Sequence, residues 1–171
     1  MSGGHCLLAI AVALLTAVAM EGWAAVLHRH LWHRRWWPLH RSHHRRHRSR
    51  LEVNDLLSLV HAPAAAGLWI LGLSLPAGAL AATLVGVAAG MSLFGAAYLL
   101  VHDGFVHGRL PVGALGRWRW LRRIAAAHAV HHRRGGPPFG LFSGPWVVAA
   151  ARSRGRPQAP PQSHCSGVSQ R

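Results

Sequence analysis

Three long apolar stretches alternate with blocks of basic residues. The first runs from Cys6 to Leu27, about 22 residues. A helix of that length reaches roughly 33 Å, enough to cross a hydrocarbon core of about 30 Å. The second runs from Leu56 to Leu75 and the third from Ala77 to Val101. Only Pro76 and its neighbours separate these two, so they read as an antiparallel helical hairpin closed by a tight turn. Two core helices of a soluble bundle are the alternative, but the length and lack of charge of both runs oppose it. Ala17-Val18-Ala19 resembles a leader cleavage site. No Lys or Arg precedes the first run, however, and positive charge follows it, which is the arrangement of a retained span. The expected fold is therefore all-α, an integral membrane protein with about three transmembrane spans.

Beyond Val101 no run is long enough to span. Arg117 to His128 mixes Trp118, Trp120, Leu121 and Ile124 with four Arg, the pattern of a helix lying in the membrane interface. Phe139 to Ala151 is apolar but short, and is expected to be a re-entrant or surface segment. From Arg152 onward Pro, Gln, Ser and Arg dominate, which reads as a disordered tail. Residues 1–151 are thus expected to form one membrane domain and 152–171 the tail.

Charge fixes an orientation. The net charge is +15, and all 19 basic residues are Arg. None lies between Met1 and Leu27 or between Leu51 and Val101, whereas eight fall between Arg29 and Arg50. The positive-inside rule places that loop in the cytoplasm. With the hairpin crossing twice, everything after Val101 returns to the same side. The Arg-rich loop is read as a topology determinant and headgroup contact, and Trp32, Trp36 and Trp37 as part of an aromatic belt. A soluble nucleic-acid binder would share the charge but leaves the apolar runs unexplained. Cys6 and Cys165 form no CxxC pair and give no thiolate metal site.

The chain holds 15 histidines, where ordinary usage gives about four. They form boxes. His28 and His33 make HxxxxH, and His40-Arg-Ser-His43-His44 makes HxxHH. After the hairpin, His102 and His107 make HxxxxH again, and His128-Ala-Val-His131-His132 makes HxxHH again. Residues i, i+3 and i+4 share a helix face, so HxxHH aims three imidazoles at one point. Residues i and i+5 differ by about 140° in an α-helix. HxxxxH therefore needs a π turn or a helix end between its histidines. Gly104 suggests an end in the later box; in the earlier one a π turn or fraying is predicted near His30 and Leu31.

Imidazole suits Zn, Cu, Fe and Ni, and a structural zinc needs only about four ligands. Ten candidate ligands without thiols suit two ions, with positions left for oxygen. The Glu-x-x-His pattern of carboxylate-bridged di-iron bundles is absent, so a histidine-rich di-iron site is expected. Glu21, seven residues before His28, and Asp103, beside His102, are candidate catalytic carboxylates that would accept hydrogen bonds from ligand imidazoles. Asp55 reads as an N-terminal helix charge. His30 and His47 read as solvated, His61 as a polar residue packed between spans, and His5 and His164 as uninvolved.

These residues resemble the bacterial-type β-carotene hydroxylases of the membrane fatty-acid hydroxylase and sterol desaturase superfamily. The resemblance rests on Met20-Glu21, the four boxes, Glu52-Val-Asn-Asp55-Leu56, Val101-His-Asp-Gly-Phe-Val-His107, and Phe139-Gly140, and it covers about residues 6 to 150. It implies O2-dependent hydroxylation of β-ionone rings at C3 and C3′ by a non-haem di-iron site. The implied iron ligands are His28, His33, His40, His43, His44, His102, His107, His128, His131 and His132. Implied partners are a carotenoid in the bilayer, membrane lipids and a ferredoxin or similar donor, with no nucleic acid. The implied location is the inner membrane, with the metals on the cytoplasmic face. The stretch between His132 and Phe139 is short beside the family pattern, and the segment after Phe139 is only loosely similar. A fatty-acid or sterol hydroxylase or desaturase would use the same boxes. A haem- or metal-binding membrane protein is the reading from another class.

Overall fold

The computed structural model describes residues 2–45 and 51–155. Helix α1 (Gly3–Leu27) passes without a break into a π-helical segment, π1 (His28–Arg35), followed by α2 (Trp37–His40). Then come α3 (Asp55–Leu59), α4 (His61–Ser74) and α5 (Ala79–Tyr98), the last running on into π2 (Leu99–Val106). A 3-10 turn at Gly113–Arg117 leads to α6 (Arg119–Arg134) and α7 (Gly144–Ser153). There is no strand among the described residues, as the all-α expectation requires. Gly3–Arg35, Asp55–Ser74 and Ala79–Val106 are long and apolar enough to cross a membrane. Their outer faces carry Leu7, Leu15, Val18, Ile70, Leu73 and Leu80, all largely exposed, a surface suited to lipid rather than water. The helical backbone satisfies its own polar groups, which a lipid environment demands.

The hairpin closes where expected. Leu75 is extended (φ −81°, ψ 152°). Pro76 lacks an N–H and bars its predecessor from helical geometry, so α4 stops there. Helix α5 is central and packs on both α1 and α4. Gly86 and Gly90 face α1 so closely that a Cβ at Gly86 would lie 2.7 Å from the Ala9 carbonyl oxygen, and one at Gly90 2.5 Å from that of Ala13. In lipid, apolar side chains gain little by meeting one another, so helices associate through close backbone approach at small residues. Gly90→Leu is expected to force α1 and α5 apart and cost about 3 kcal/mol or more. Thermal unfolding in detergent checks this, with Gly95→Leu as the control, since Gly95 has open space beside it.

Helix α6 is amphipathic. Ile124, Ala127, His128 and His131 are buried, while Arg119, Arg122, Arg123 and Arg133 are exposed. It begins later and runs further than the expected interfacial segment, so the last histidine box lies within it. Gly135, at φ 64°, ends it in the left-handed conformation and donates its N–H to the His131 carbonyl (2.8 Å). Helix α7 packs on α6, with Trp146 against Trp120 at 4.5 Å. Ten residues long, it extends only about 15 Å, too short to span. It also runs into Arg152 and Ser153, which the sequence reading assigned to the tail; the remainder from 156 lies outside the described residues.

Candidate metal centre

The ten box histidines converge at one end of the three long helices. His28 and His33 come from π1, His40 from the end of α2, and His43 and His44 from the turn after it. His102 comes from π2, His107 caps it, and His128, His131 and His132 come from α6. Both HxxxxH boxes are wound as π-helix, whose i→i+5 hydrogen bonds bring i+5 back over i. Trp36 donates to Leu31 and His107 to His102, each at 2.9 Å. The ring centroids of His28 and His33 are then 4.9 Å apart, and those of His102 and His107 4.6 Å. The π turn predicted around His30 and Leu31 is present. The helix end predicted at Gly104 is corrected: π2 continues through it to Val106. Gly104 serves packing instead, since a Cβ there would press on Val112 at 3.0 Å.

Among the described residues the imidazoles fall into two groups, His28, His33, His40, His44 and His131, and His43, His102, His107 and His128. Within each, the facing ring nitrogens lie within 4.8 Å of one another. His132 stands at the seam. Its ring stacks on His44 at 4.4 Å, and its Nε2 is 2.8 Å from that of His128.

The outward nitrogens fix the tautomers. His28 Nδ1 meets the Phe139 carbonyl at 2.8 Å, His131 Nδ1 the Gly136 carbonyl at 2.7 Å and His40 Nδ1 the Asn54 Oδ1 at 2.6 Å. His43 Nδ1 meets Glu52 at 3.0 Å, and His102 Nδ1 meets Asp103 at 3.1 Å. These oxygens can only accept, so each Nδ1 carries the hydrogen and each Nε2 a bare lone pair. Yet His28 Nε2 and His40 Nε2 face each other at 3.0 Å, and His43 Nε2 and His102 Nε2 are buried with no hydrogen-bond partner. Two lone pairs at that separation repel unless a cation lies between them. Two nitrogens bound to one ion at about 2.1 Å stand roughly 3.0 to 3.4 Å apart, from octahedral to tetrahedral angles. The observed Nε2 separations, 3.0 Å for His28–His40, 3.1 Å for His33–His131 and 3.2 Å for His107–His128, match that. The residues fit metal ions.

Protonation points the same way. Burial disfavours imidazolium and pulls His40 and His131 down to about 4 and His44 to about 2. Burial likewise holds His43, His128 and His132 well below the usual histidine range. All six are neutral at pH 7, the state that binds metal.

Asp103 meets its neighbour His102, but the expected bond from His28 to Glu21 is corrected. Glu21 Oε1 instead accepts from the Ser143 N–H (2.8 Å) and hydroxyl (2.7 Å). Seven residues along a helix share a face but are about 10.5 Å apart in rise, beyond hydrogen-bond reach. Glu21 therefore pins the loop whose Phe139 carbonyl orients His28. His61 accepts from Trp23 Nε1 at 3.0 Å, between spans as expected, and His30 is exposed. His47 and His164 lie outside the described residues. Trp32 and Trp37, expected in a belt, stand against His28 (5.4 Å) and His33 (5.3 Å) and wall the site.

Sequence reasoning missed Glu52, Asn54 and Arg109 as site residues. Arg109 Nη1 lies 2.9 Å from both Asp55 and Asp103, and 3.6 Å from Glu52. Its hydrogen bond to Asp55 raises its own pKa further. The only signal in the sequence was scarcity: three of the chain's four acidic residues, Glu52, Asp55 and Asp103, lie near histidine boxes, and their convergence on this one guanidinium appears only in the fold. A cavity of about 740 Å³ opens beside it and reaches His43, His107, His128 and His132.

Three apolar helices carrying a buried, all-imidazole cluster at one end define the class: an all-α membrane protein with a histidine-rich metal centre. The chain belongs to the fatty acid hydroxylase family, whose profile matches residues 13–147. It is 42% identical over 140 residues to β-carotene 3-hydroxylase 2, chloroplastic, of Arabidopsis thaliana, covering 81% of this chain and 46% of that protein. It is 41% identical over 137 residues to β-carotene hydroxylase 1, chloroplastic, of Capsicum annuum, covering 79% and 43%. With the β-carotene hydroxylase of Pseudescherichia vulneris it shares 38% identity over 135 residues, covering 77% and 74%. The chain thus spans less than half the length of the plant relatives and most of the bacterial one. No solved structure matches it.

Proposed function

We propose that this chain hydroxylates carotenoid β-ionone rings at C3 and C3′, converting β-carotene to β-cryptoxanthin and then zeaxanthin, with two iron ions and O2. The observation that carries this is the meeting of ten imidazoles at one end of an apolar bundle, in a chain 38–42% identical to proteins named β-carotene hydroxylases. His28, His33, His40, His44 and His131 would hold one iron. His43, His102, His107 and His128 would hold the other, with His132 at the seam. Iron supplies the activation of O2 and the oxidation of an inert ring methylene, chemistry outside the reach of any side chain.

The chain's own residues do the rest. Burial keeps the imidazoles neutral and excludes water. Phe139, Asn54, Gly136, Glu52 and Asp103 hold the tautomers that aim Nε2 inward. The Phe139 ring centroid lies 5.3 Å from that of His33, and that of Tyr98 4.5 Å from that of His102, so aromatic rings border the imidazoles and suit an apolar substrate ring. A bilayer-dissolved carotenoid, about as long as the hydrocarbon core is thick, would present one ring end from between the spans. The Arg-rich side is read as cytoplasmic, in an inner membrane, and its field would steer in a small acidic ferredoxin. Residues 1–151 would be the hydroxylase domain, with 152–171 as a tail and Glu21 and Asp103 assisting catalysis through positioning.

Expression in cells that accumulate β-carotene tests this, with pigments separated by chromatography. β-Cryptoxanthin and zeaxanthin should appear. Unchanged β-carotene alongside hydroxylated or desaturated fatty acids would favour the other substrate class of the family.

A further inference from the structure

The two imidazole groups differ in what stands behind them. In the group of His28, His40 and His131, the Nδ1 partners are neutral: two backbone carbonyls and the Asn54 amide. In the group of His43 and His102, they are the carboxylates of Glu52 and Asp103. Both carboxylates are sheltered, with side-chain exposures of 5% and 14%. Arg109 lies 2.9 Å from Asp103 and 3.6 Å from Glu52, and it is shared with Asp55.

An N–H donated to a carboxylate gives imidazole some imidazolate character and makes the opposite nitrogen a stronger donor. A neutral carbonyl does this far less. Sheltered charge is also poorly screened, so its field reaches the adjacent ion. Both effects enrich the same centre, and neither is visible from ligand type, because every ligand is an imidazole.

We infer that the two ions are electronically unequal, and that the one held by His43, His102, His107 and His128 is the electron-richer and loses the first electron when the pair is oxidised. That step takes one Fe2+ to Fe3+ and, with ferricyanide as oxidant, yields ferrocyanide. The inference rests on the di-iron reading above and adds an order to it: Glu52 and Asp103 are positioning residues that set which ion is oxidised first.

Mössbauer spectroscopy of full-length protein loaded with 57Fe in detergent and reduced by dithionite provides the test. Two doublets of equal area are expected. Glu52→Gln, which keeps shape and an acceptor oxygen, should move one doublet and leave the other. Asp103→Asn should move the same one, so the result does not depend on a single variant folding. Asn54→Asp should move the other doublet toward the first. Limited ferricyanide should draw ferric signal from the doublet that responds to Glu52→Gln. A single doublet, or ferric signal drawn from the doublet that responds to Asn54→Asp, overturns the inference while leaving the di-iron reading intact. Protein that binds no iron overturns both.

Discussion

His131→Ala should abolish carotenoid conversion, by about 100-fold or more, and lower iron from about two to about one per chain. Loss of partners behind a ligand already costs about 10- to 100-fold in such sites, and His131 is itself a candidate ligand. It is fully buried, its Nδ1 is fixed by the Gly136 carbonyl, and its Nε2 lies 3.1 Å from that of His33. Alanine removes the donor and opens a hole between π1 and α6. His131→Gln separates the two effects, since it fills most of the volume without restoring the imidazole. Both variants should lose activity, while His30→Ala, on the exposed face of π1, should keep it. Full conversion by either His131 variant would refute the assignment.

The second large effect is expected at Arg109. Its guanidinium is 13% exposed and holds Asp55, Asp103 and Glu52 against one another. Removing one partner of a buried ion pair leaves charge uncompensated and costs about 3–5 kcal/mol. Here Arg109→Met would take the shared guanidinium away from the carboxylates beside the imidazoles. Chemical unfolding in detergent should show a loss of that size. Asp55→Asn in the same background should recover part of it by removing one of those charges. A loss under about 1 kcal/mol, within the range of an exposed pair, would contradict the picture.

Much of this was legible because membranes and metals impose strict spacing. A span must be apolar for about 20 residues, so Cys6–Leu27 and the hairpin around Pro76 could be read directly. The histidine boxes were legible for a similar reason, since helix periodicity leaves few ways to aim several imidazoles at one point. The HxxxxH spacing forced a local distortion, and π1 supplies it. Gly104 misled because glycine permits both an ended helix and a tightly packed one, and only the proximity of Val112 distinguishes them.

The sequence by itself determined the spans, the ten imidazoles and the need for a π turn or a helix end within each HxxxxH box. The tertiary structure decided how those imidazoles divide. His43 and His44 are adjacent yet serve different groups, because neighbours on a helical turn point about 100° apart. Only the packing of π1, π2 and α6 says what each direction meets. The oxygens behind them were decided there as well. The Phe139 and Gly136 carbonyls are backbone groups that any residue carries, and Arg109 reaches Asp55 across 54 positions of chain. No spacing rule encodes such contacts, because they exist only after distant segments have packed.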